Sequence, residues 1–189
     1  MIEDRGLWPA DHGANDGKTW LRIDVTDPAL TLFQKILLVT DGTVTELLSL
    51  YCEQPIIARK ILQSLPATAV LAAAAAGIAP PLMLRAVILE NADGKPLLHA
   101  TSCFALDSMP AAIRRDLQET DTPIGLLWRR ERLEMYRELL GCQKGVDDEI
   151  AAALQVPGTT PLLQRSYRLF HHRQAMGLIT ETFATSVLK

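Results

Sequence analysis

Residues 160–188 read TPLLQRSYRLFHHRQAMGLITETFATSVL, which predicts two β-strands joined by a turn. In the second of them, GLITETFATS, successive side chains alternate between the two faces of the strand. Glu181 therefore shares a face with Ile179 and Phe183, which are typical of a core. An ionised carboxylate among apolar side chains costs free energy unless another group satisfies it. The stretch predicts a hairpin with a carboxylate that either another residue or a ligand must satisfy.

A second hairpin is predicted earlier in the chain, where PLMLRAVILE and KPLLHATSCFA flank the turn sequence NADG. Alternation along the first of these strands places Arg85 on the same face as Val87 and Leu89. Arg85 is therefore a second charge on an apolar face, opposite in sign to Glu181. Two explanations stay open: the two residues form a buried ion pair, or both line an apolar pocket whose polar groups bind a ligand.

The first half of the chain predicts mainly helices, after an irregular lead-in over residues 1–27 that is rich in Asp, Gly and Pro. The sequence DPALTLFQKILLV predicts a short helix with Leu32, Ile36 and Val39 on one side. The sequence PIIARKILQSL predicts another short amphipathic segment.

A further helix is predicted from Val44 to about Cys52. Thr43 stands three residues before Glu46, which is the spacing of a capping box.

Residues 121–141, DTPIGLLWRRERLEMYRELLG, predict a long helix. Thr122 suits its N-cap, Pro123 its first position and Gly141 its end. The amides of a first helical turn lack acceptors within the helix, and the helix dipole favours an anion there. The backbone amides of Ile124 and Gly125 are therefore candidate anion donors. The predicted apolar stripe of this helix comprises Leu126, Leu133, Tyr136 and Leu140.

Together these elements predict an α+β fold, in which helices mostly from the first half pack on one face of an antiparallel β-sheet. A chain of 189 residues is long enough for a single domain, spanning residues 1–189, with a sizeable core. The net charge of −3 argues against a nucleic-acid partner, because phosphate contacts need a local excess of Lys and Arg.

The sequence also bears on the cellular compartment, on a membrane span and on a metal site. Its N-terminus has no signal-peptide pattern, and the Ala-rich run ATAVLAAAAAGIAPPLML is broken by Gly and Pro, which favours a buried or linking segment over a membrane span. Three widely spaced cysteines without metal-ligand spacing favour a reducing cytoplasm and no metal site. The four histidines are expected to be surface or satisfied residues.

Four segments in order resemble the chorismate lyase (chorismate–pyruvate lyase) family: LLVTDGTVTELL, LRAVIL followed by GKPLLHATS, TPIG, and RSYRLF with MGLITETF. The resemblance extends from about Leu30 to Phe183. It is closer to the compact branch that makes 4-hydroxybenzoate in diverse bacteria than to the shorter enzymes of ubiquinone synthesis. It implies an antiparallel sheet with helices packed against it and the site between them. It also implies cofactor-free conversion of chorismate to 4-hydroxybenzoate and pyruvate.

The resemblance implies roles for particular residues. Arg85 corresponds to the family's substrate-contacting arginine, with the amides of Ile124 and Gly125 completing the grip on the ring carboxylate. Glu181 corresponds to the glutamate near the 4-hydroxyl group, where it accepts a hydrogen bond or, as the weaker role, acts as a base or proton relay. Val44 falls on a further substrate contact.

Two positions depart from the family pattern. Val44 stands where the family has Met, which shortens an apolar wall of the pocket. Leu126 follows the TPIG motif where many relatives have Arg, and the loss of that cation weakens the attraction for the second carboxylate of a dianionic substrate.

Three other functions are compatible with the sequence. One is a non-catalytic domain that binds an aromatic carboxylate, since ligand-sensing domains of some bacterial regulators are similar in fold. Such domains normally follow a basic winged-helix segment, a pattern that the first 30 residues lack. The second is a chorismate-cleaving enzyme that yields another hydroxybenzoate. The third is a structural or partner-binding domain, supported by the Ala-rich run and by the apolar segment LLW.

Overall fold

A computed structural model describes residues 18–64, 76–120 and 122–188 of the chain. Seven strands form one antiparallel sheet in the order β1-β5-β6-β7-β4-β3-β2. The strands are β1 (Lys18–Arg22), β2 (Ile56–Ser64), β3 (Leu82–Asn91), β4 (Pro96–Ala105), β5 (Tyr136–Asp147), β6 (Leu162–His171) and β7 (Gln174–Ala184).

Five α-helices lie in the described segments: α1 (Leu32–Val39), α2 (Val44–Cys52), α3 (Ala111–Glu119), α4 (Ile124–Arg130) and α5 (Asp148–Ala153). The first four pack on one face of the sheet, where their buried residues meet alternate residues of β3 and β7. The short α5 packs on the opposite face, against Ile88 and Leu162. The predicted α+β architecture is confirmed. None of these helices is long and apolar enough to cross a bilayer.

Both predicted hairpins are confirmed. The turn between β3 and β4 contains Gly94 at φ +78°, a left-handed conformation that glycine adopts without strain. The turn between β6 and β7 places His172 and Arg173 at φ +47° and +65°, the signs that a tight two-residue hairpin turn requires. These hairpins bring Arg85 and Glu181 onto one side of the sheet, because β4 pairs with both β3 and β7.

Helix α1 forms as predicted, but its orientation differs from the prediction. The expected stripe is on the outside, since Leu32 is 75% exposed and Val39 is 53% exposed. The buried residues are Leu37, Leu38 and Gln34, whose side-chain amide donates to the carbonyl oxygen of Leu188 at 2.7 Å. A helix of two turns carries apolar residues on both sides, so periodicity alone does not choose its buried face.

Helix α2 has the predicted bounds, but the predicted capping box is wrong. Thr43 is the N-cap residue, yet its side chain makes no capping hydrogen bond. Glu46 instead forms an ion pair with Arg129 of α4. The capping box in this region lies one helix earlier, between Thr31 and Gln34 at the start of α1.

The long helix predicted for residues 121–141 is wrong. Helix α4 has only seven residues, its N-cap is Pro123 rather than Thr122, and it ends where Arg132 takes φ +51°. The amide of Leu133 closes that end by donating to the carbonyl oxygen of Trp128 at 3.0 Å. Strand β5 follows, and Gly141 lies inside it at a register irregularity. The pairing of β5 with both β1 and β6 outweighs the helical propensity of this Glu-, Leu- and Arg-rich stretch.

Two further expectations change. The last residues of the predicted irregular lead-in form β1, which pairs with β5 at one edge of the sheet. The segment PIIARKILQSL forms β2, the strand at the opposite edge, where Ile57 and Leu62 are about half exposed. The first half of the Ala-rich run, residues 67–75, lies outside the described residues.

Candidate functional site

A cavity lies between the sheet and the helices α2 and α4. It measures about 590 Å³, counting the part that opens to solvent. Its floor comes from β3, β4, β6 and β7, and its roof comes from the first turns of the two helices. The lining residues are Gly42, Thr43, Val44, Thr45, Arg85, Val87, Leu89, Ala100, Ser102, Pro123, Ile124, Gly125, Trp128, Arg137, Tyr167, Ile179 and Glu181.

Glu181 is satisfied by two residues of the neighbouring strand β6. Its Oε2 accepts a hydrogen bond from Nε of Arg165 at 2.7 Å, and its Oε1 accepts one from the hydroxyl of Tyr167 at 3.0 Å. Arg165 lies directly opposite Glu181 in the β6–β7 register, which brings the two side chains onto the same face. Each carboxylate oxygen keeps one lone pair for a further donor.

Arg165 is buried, with a side chain only 2% exposed. Burial is the largest single influence and opposes its charge, but the combined attraction of Glu181, Tyr167 and Cys142 outweighs burial, and the pKa of Arg165 is raised. Its Nη1 donates to the carbonyl oxygen of Thr40 at 2.7 Å, and its guanidinium carbon lies 5.1 Å from the centre of the Tyr167 ring. Burial, followed by the nearby Glu181 charge, also raises the pKa of Tyr167, which keeps its hydroxyl protonated as a donor.

Arg85 reaches the cavity from β3 and is 4% exposed. Its Nη2 donates to the backbone carbonyl oxygen of Thr122, just before α4, at 3.4 Å. Of the two open explanations for the misplaced charges, direct pairing of Arg85 with Glu181 is wrong: within the described segments, the salt-bridge partner of Glu181 is Arg165. Thr122, the expected helix cap, instead contributes its carbonyl oxygen.

The two helix starts approach each other closely above the sheet. A Cβ atom added to Gly125 would lie 2.8 Å from Cγ2 of Thr43, so only glycine fits there. In α4 the first intrahelical donor is the amide of Leu126, which bonds the carbonyl oxygen of Pro123. The amides of Ile124 and Gly125 thus do not donate within the helix, and both residues line the cavity.

The structure brings all five predicted site residues to this one cavity: Arg85, Glu181, Ile124, Gly125 and Val44 all line it. The charges come from two strands of one sheet, whereas the other three residues come from the two helix starts. The five residues therefore lie together, although the long helix expected to carry two of them does not exist, and their roles stay a prediction.

The sequence reasoning missed four residues of the site. Arg165 and Tyr167 stand two apart in RSYRLF, on the face that meets Glu181 across the hairpin, so alternation and hairpin register together signal them. Trp128 and Arg137 also line the cavity. The sequence offers no reason to place Arg137 at the site, because residues 121–141 predict one helix and Arg137 is therefore not expected on a strand of the sheet.

Within residues 18–64, 76–120 and 122–188, no group of three or more His, Cys, Asp or Glu side chains is placed to bind a metal ion. The three cysteines are free thiols. Burial raises the pKa of Cys142 to about 11, against the opposing attraction of Arg165. The polar groups among the lining residues are guanidinium, carboxylate, hydroxyl, indole and backbone amide groups.

Comparisons with known proteins agree with this architecture. A family model described as "Rv2949c-like: Chorismate pyruvate-lyase Rv2949c-like" matches residues 38–189. A protein of Methanocaldococcus jannaschii named "Putative lyase MJ0807" is 30% identical over 158 residues, which are 80% of this chain and 77% of that protein.

Solved structures of other proteins share the fold. PhnF from Mycobacterium smegmatis matches with a TM-score of 0.62 and 14% identity, over 80% of this chain and 67% of that one. The effector domain of PhnF alone matches with a TM-score of 0.60 and 14% identity, over 77% and 90% of the two chains. The C-terminal domain of a histidine utilization repressor from Pseudomonas syringae pv. tomato gives a TM-score of 0.52 and 12% identity, over 71% and 94%. The chain described here belongs to the Rv2949c-like chorismate pyruvate-lyase family and shares its fold with the PhnF effector domain.

Proposed function

We propose that this protein converts chorismate to 4-hydroxybenzoate and pyruvate without a cofactor or metal. The observation that carries the proposal is the placement of Arg85 and Glu181. Both are buried side chains on one face of the sheet, and both line a cavity whose other walls are largely apolar. An apolar pocket with a few convergent polar groups suits a small ring that carries a carboxylate and a hydroxyl.

The sheet register separates the backbone positions of these two residues by a distance that leaves room for a ring between them. Arg85 lies opposite Ser102 of β4, and Glu181 lies opposite Ala100 of the same strand. The two charged residues are therefore two strand intervals apart, roughly 10 Å across the sheet. Ala100, Val87 and Ile179 lie between or beside them and provide an apolar surface for the ring.

At one end of the cavity, Arg85 binds the ring carboxylate of chorismate. A guanidinium group presents parallel donors that match a carboxylate at two points. The amides of Ile124 and Gly125 supply further donors from the first turn of α4. The hydrogen bond from Arg85 to the carbonyl oxygen of Thr122 ties the arginine to the start of that helix.

At the other end, Glu181 accepts a hydrogen bond from the 4-hydroxyl group. Arg165 and Tyr167 fix its position and already occupy one lone pair on each oxygen. Because both of its oxygens are already engaged, orienting the hydroxyl is its main role and proton relay is the secondary one.

In the reaction, the bond between the ring carbon and the enolpyruvyl oxygen breaks. The neighbouring ring carbon, which bears the hydroxyl group, loses its proton, and the ring becomes aromatic. The enolpyruvyl group leaves with the ether oxygen and gains a proton at its methylene carbon, which gives pyruvate. Gain of aromaticity drives the step, so the protein needs only to hold the reactive conformer and exclude water.

The first experiment is incubation with chorismate, with pyruvate followed by a coupled absorbance assay and the aromatic product identified by chromatography. We expect equal amounts of pyruvate and 4-hydroxybenzoate. A different hydroxybenzoate would refute the proposed product, and the absence of pyruvate would refute the proposed enzyme.

Variants then test the residues. Arg85→Ala should lower kcat/KM by about 100-fold or more, because it removes a charge-assisted contact to the substrate. Glu181→Gln keeps the volume and an acceptor oxygen, so we expect it to retain more activity than Glu181→Ala, which also leaves Arg165 buried without its partner. Glu90→Gln, which alters the partly exposed pair of Glu90 with Arg59, is the matched control. Near-normal activity of Arg85→Ala would show that the assignment is wrong.

A second candidate function is binding of an aromatic carboxylate without turnover. It is favoured by the match to the PhnF effector domain, 90% of which is covered by this chain. In that case chorismate or 4-hydroxybenzoate would bind in the same cavity, measurable by calorimetry, and no pyruvate would form.

A further inference from the structure

A second arginine lines the cavity on the side away from Arg85. Arg137 lies on β5 directly opposite Leu169 of β6, so its side chain is on the face that the helices cover. Its Nη1 donates to the backbone carbonyl oxygen of Asp41, and its guanidinium carbon lies 5.8 Å from the centre of the Trp128 ring. Its Nε is buried and has no hydrogen-bond partner within the part of the chain that the structure describes.

The charge of Arg137 differs in its surroundings from that of three other strand arginines: Arg165 is paired with Glu181, Arg168 with Glu138, and Arg59 with Glu90. Among the residues that the structure describes, no Asp or Glu oxygen lies within salt-bridge distance of Arg137. A half-buried cation without a counter-ion is costly, and an anion in the cavity would lower that cost.

Trp128 offers a second unused donor beside this arginine. The residue is 4% exposed and lines the cavity, and its indole Nε1 is buried without a hydrogen-bond partner among the described residues. Most buried polar groups in proteins are hydrogen-bonded, so a buried indole N–H and a buried guanidinium Nε are both available to an acceptor in the cavity. A carboxylate, which only accepts hydrogen bonds, satisfies both.

Counted across the sheet from Arg85, Arg137 lies on a strand beyond that of Glu181, and the register places it level with Gly177, four residues from Glu181 along β7. From β3 across the sheet, the cavity presents Arg85, then Glu181 on β7, then Arg137 on β5. In chorismate the enolpyruvyl ether is on the ring carbon next to the hydroxyl group. With the ring carboxylate at Arg85 and the hydroxyl at Glu181, the enolpyruvyl arm begins near Glu181 and extends toward β5.

We infer that Arg137, assisted by the indole N–H of Trp128, binds the second carboxylate of the substrate, the one on the enolpyruvyl arm. This inference rests on the proposed function and names the residue that distinguishes the dianionic substrate from the monoanionic aromatic product. Leu126, where the family resemblance implies the loss of a cation for this carboxylate, does not line the cavity. The cation for the second carboxylate is instead Arg137, on β5, the strand that follows α4.

The test compares two ligands that differ in this carboxylate. In Arg137→Gln, kcat/KM for chorismate should fall by about 10- to 100-fold, the effect of losing one hydrogen bond to a charged group. The inhibition constant of 4-hydroxybenzoate, which lacks the second carboxylate, should change less than about twofold. Arg85→Gln should weaken both ligands, and Arg59→Gln, at an exposed pair outside the cavity, should change neither.

Arg137→Lys is the second variant, and it replaces Arg137→Gln in this test if the glutamine variant does not fold. It keeps the positive charge but loses the planar fork, so we expect a smaller loss for chorismate and again no change for 4-hydroxybenzoate. An equal loss for both ligands, or no loss for either, would overturn the inference.

The outcome separates this inference from the proposed function. If the wild-type protein forms no pyruvate, the proposed function fails, and chorismate binding is then measured by calorimetry, since the ligand is not consumed. Selective weakening of chorismate binding by Arg137→Gln supports the assignment of the arginine even then. A wild-type protein that binds neither ligand refutes both.

Discussion

The buried pair between Arg165 and Glu181 gives the sharpest stability prediction. Replacing Arg165 with Met keeps a long side chain but removes the charge, which leaves Glu181 buried with only the Tyr167 hydroxyl as partner. The two side chains are 2% and 10% exposed, so solvent screens the remaining charge poorly. Removing one partner of a buried pair typically costs about 3–5 kcal/mol. We expect Arg165→Met to lower the free energy of unfolding by that amount.

The assay is urea denaturation followed by tryptophan fluorescence and circular dichroism. With a slope of about 2 kcal/mol per molar urea, the midpoint should fall by about 2 M. Arg59→Met is the matched control, because Arg59 also pairs with a strand glutamate, at 3.0 Å, but is 51% exposed. An exposed pair contributes about 1 kcal/mol or less.

The double variant Arg165→Met with Glu181→Gln completes the cycle. It removes both charges of this pair, so its loss of stability should be smaller than the sum of the two single losses by about 2 kcal/mol. Additive losses, or an Arg165→Met effect no larger than that of Arg59→Met, would show that the buried pair does not stabilise this fold as argued here.

Three further changes have defined outcomes. Gly125→Ala should lower kcat/KM for chorismate by about 10-fold or more, because its Cβ displaces α4 from α2, and Thr43→Ser, which lacks the Cγ2 at 2.8 Å, should partly restore activity. Alkylation at pH 8, followed by mass spectrometry, should modify Cys52 before Cys142, since Cys142 is 3% exposed and burial raises its pKa to about 11. Burial lowers the pKa of His99, against the attraction of Asp147, so the unfolded chain binds this proton more readily and stability falls as the pH drops below about 6.5. His99→Gln should therefore lose less stability between pH 7 and pH 5 in denaturant titrations; an equal loss would contradict this.

Local signals in the sequence were sufficient for the two hairpins and for the strand faces on which Arg85 and Glu181 lie. Alternation placed Arg85 and Glu181 on apolar faces, and turn residues marked both hairpins, because these patterns depend on neighbours a few positions away. The bounds of α2 followed from similarly local signals. The family resemblance then associated Ile124, Gly125 and Val44 with the two charges, and the structure places all five at one cavity.

Residues 121–141 show where local signals fail. Their composition favours a helix throughout, but residues from Tyr136 onward form β5 because two neighbouring strands, β1 and β6, supply its hydrogen bonds. Contacts with a distant part of the chain also decide which side of α1 is exposed. Gln34 anchors that helix to the carbonyl oxygens of Thr185 and Leu188, which lie more than 150 positions away.

Two opposite charges on apolar strand faces can be recognised without a structure, because side-chain alternation is a property of each strand alone. How those charges are satisfied depends on the tertiary structure. In the β6–β7 register Arg165 lies opposite Glu181, and the strand order places Arg137 on the far side of the same cavity. Such partners are set by distances between strands remote in the chain, which no local pattern records.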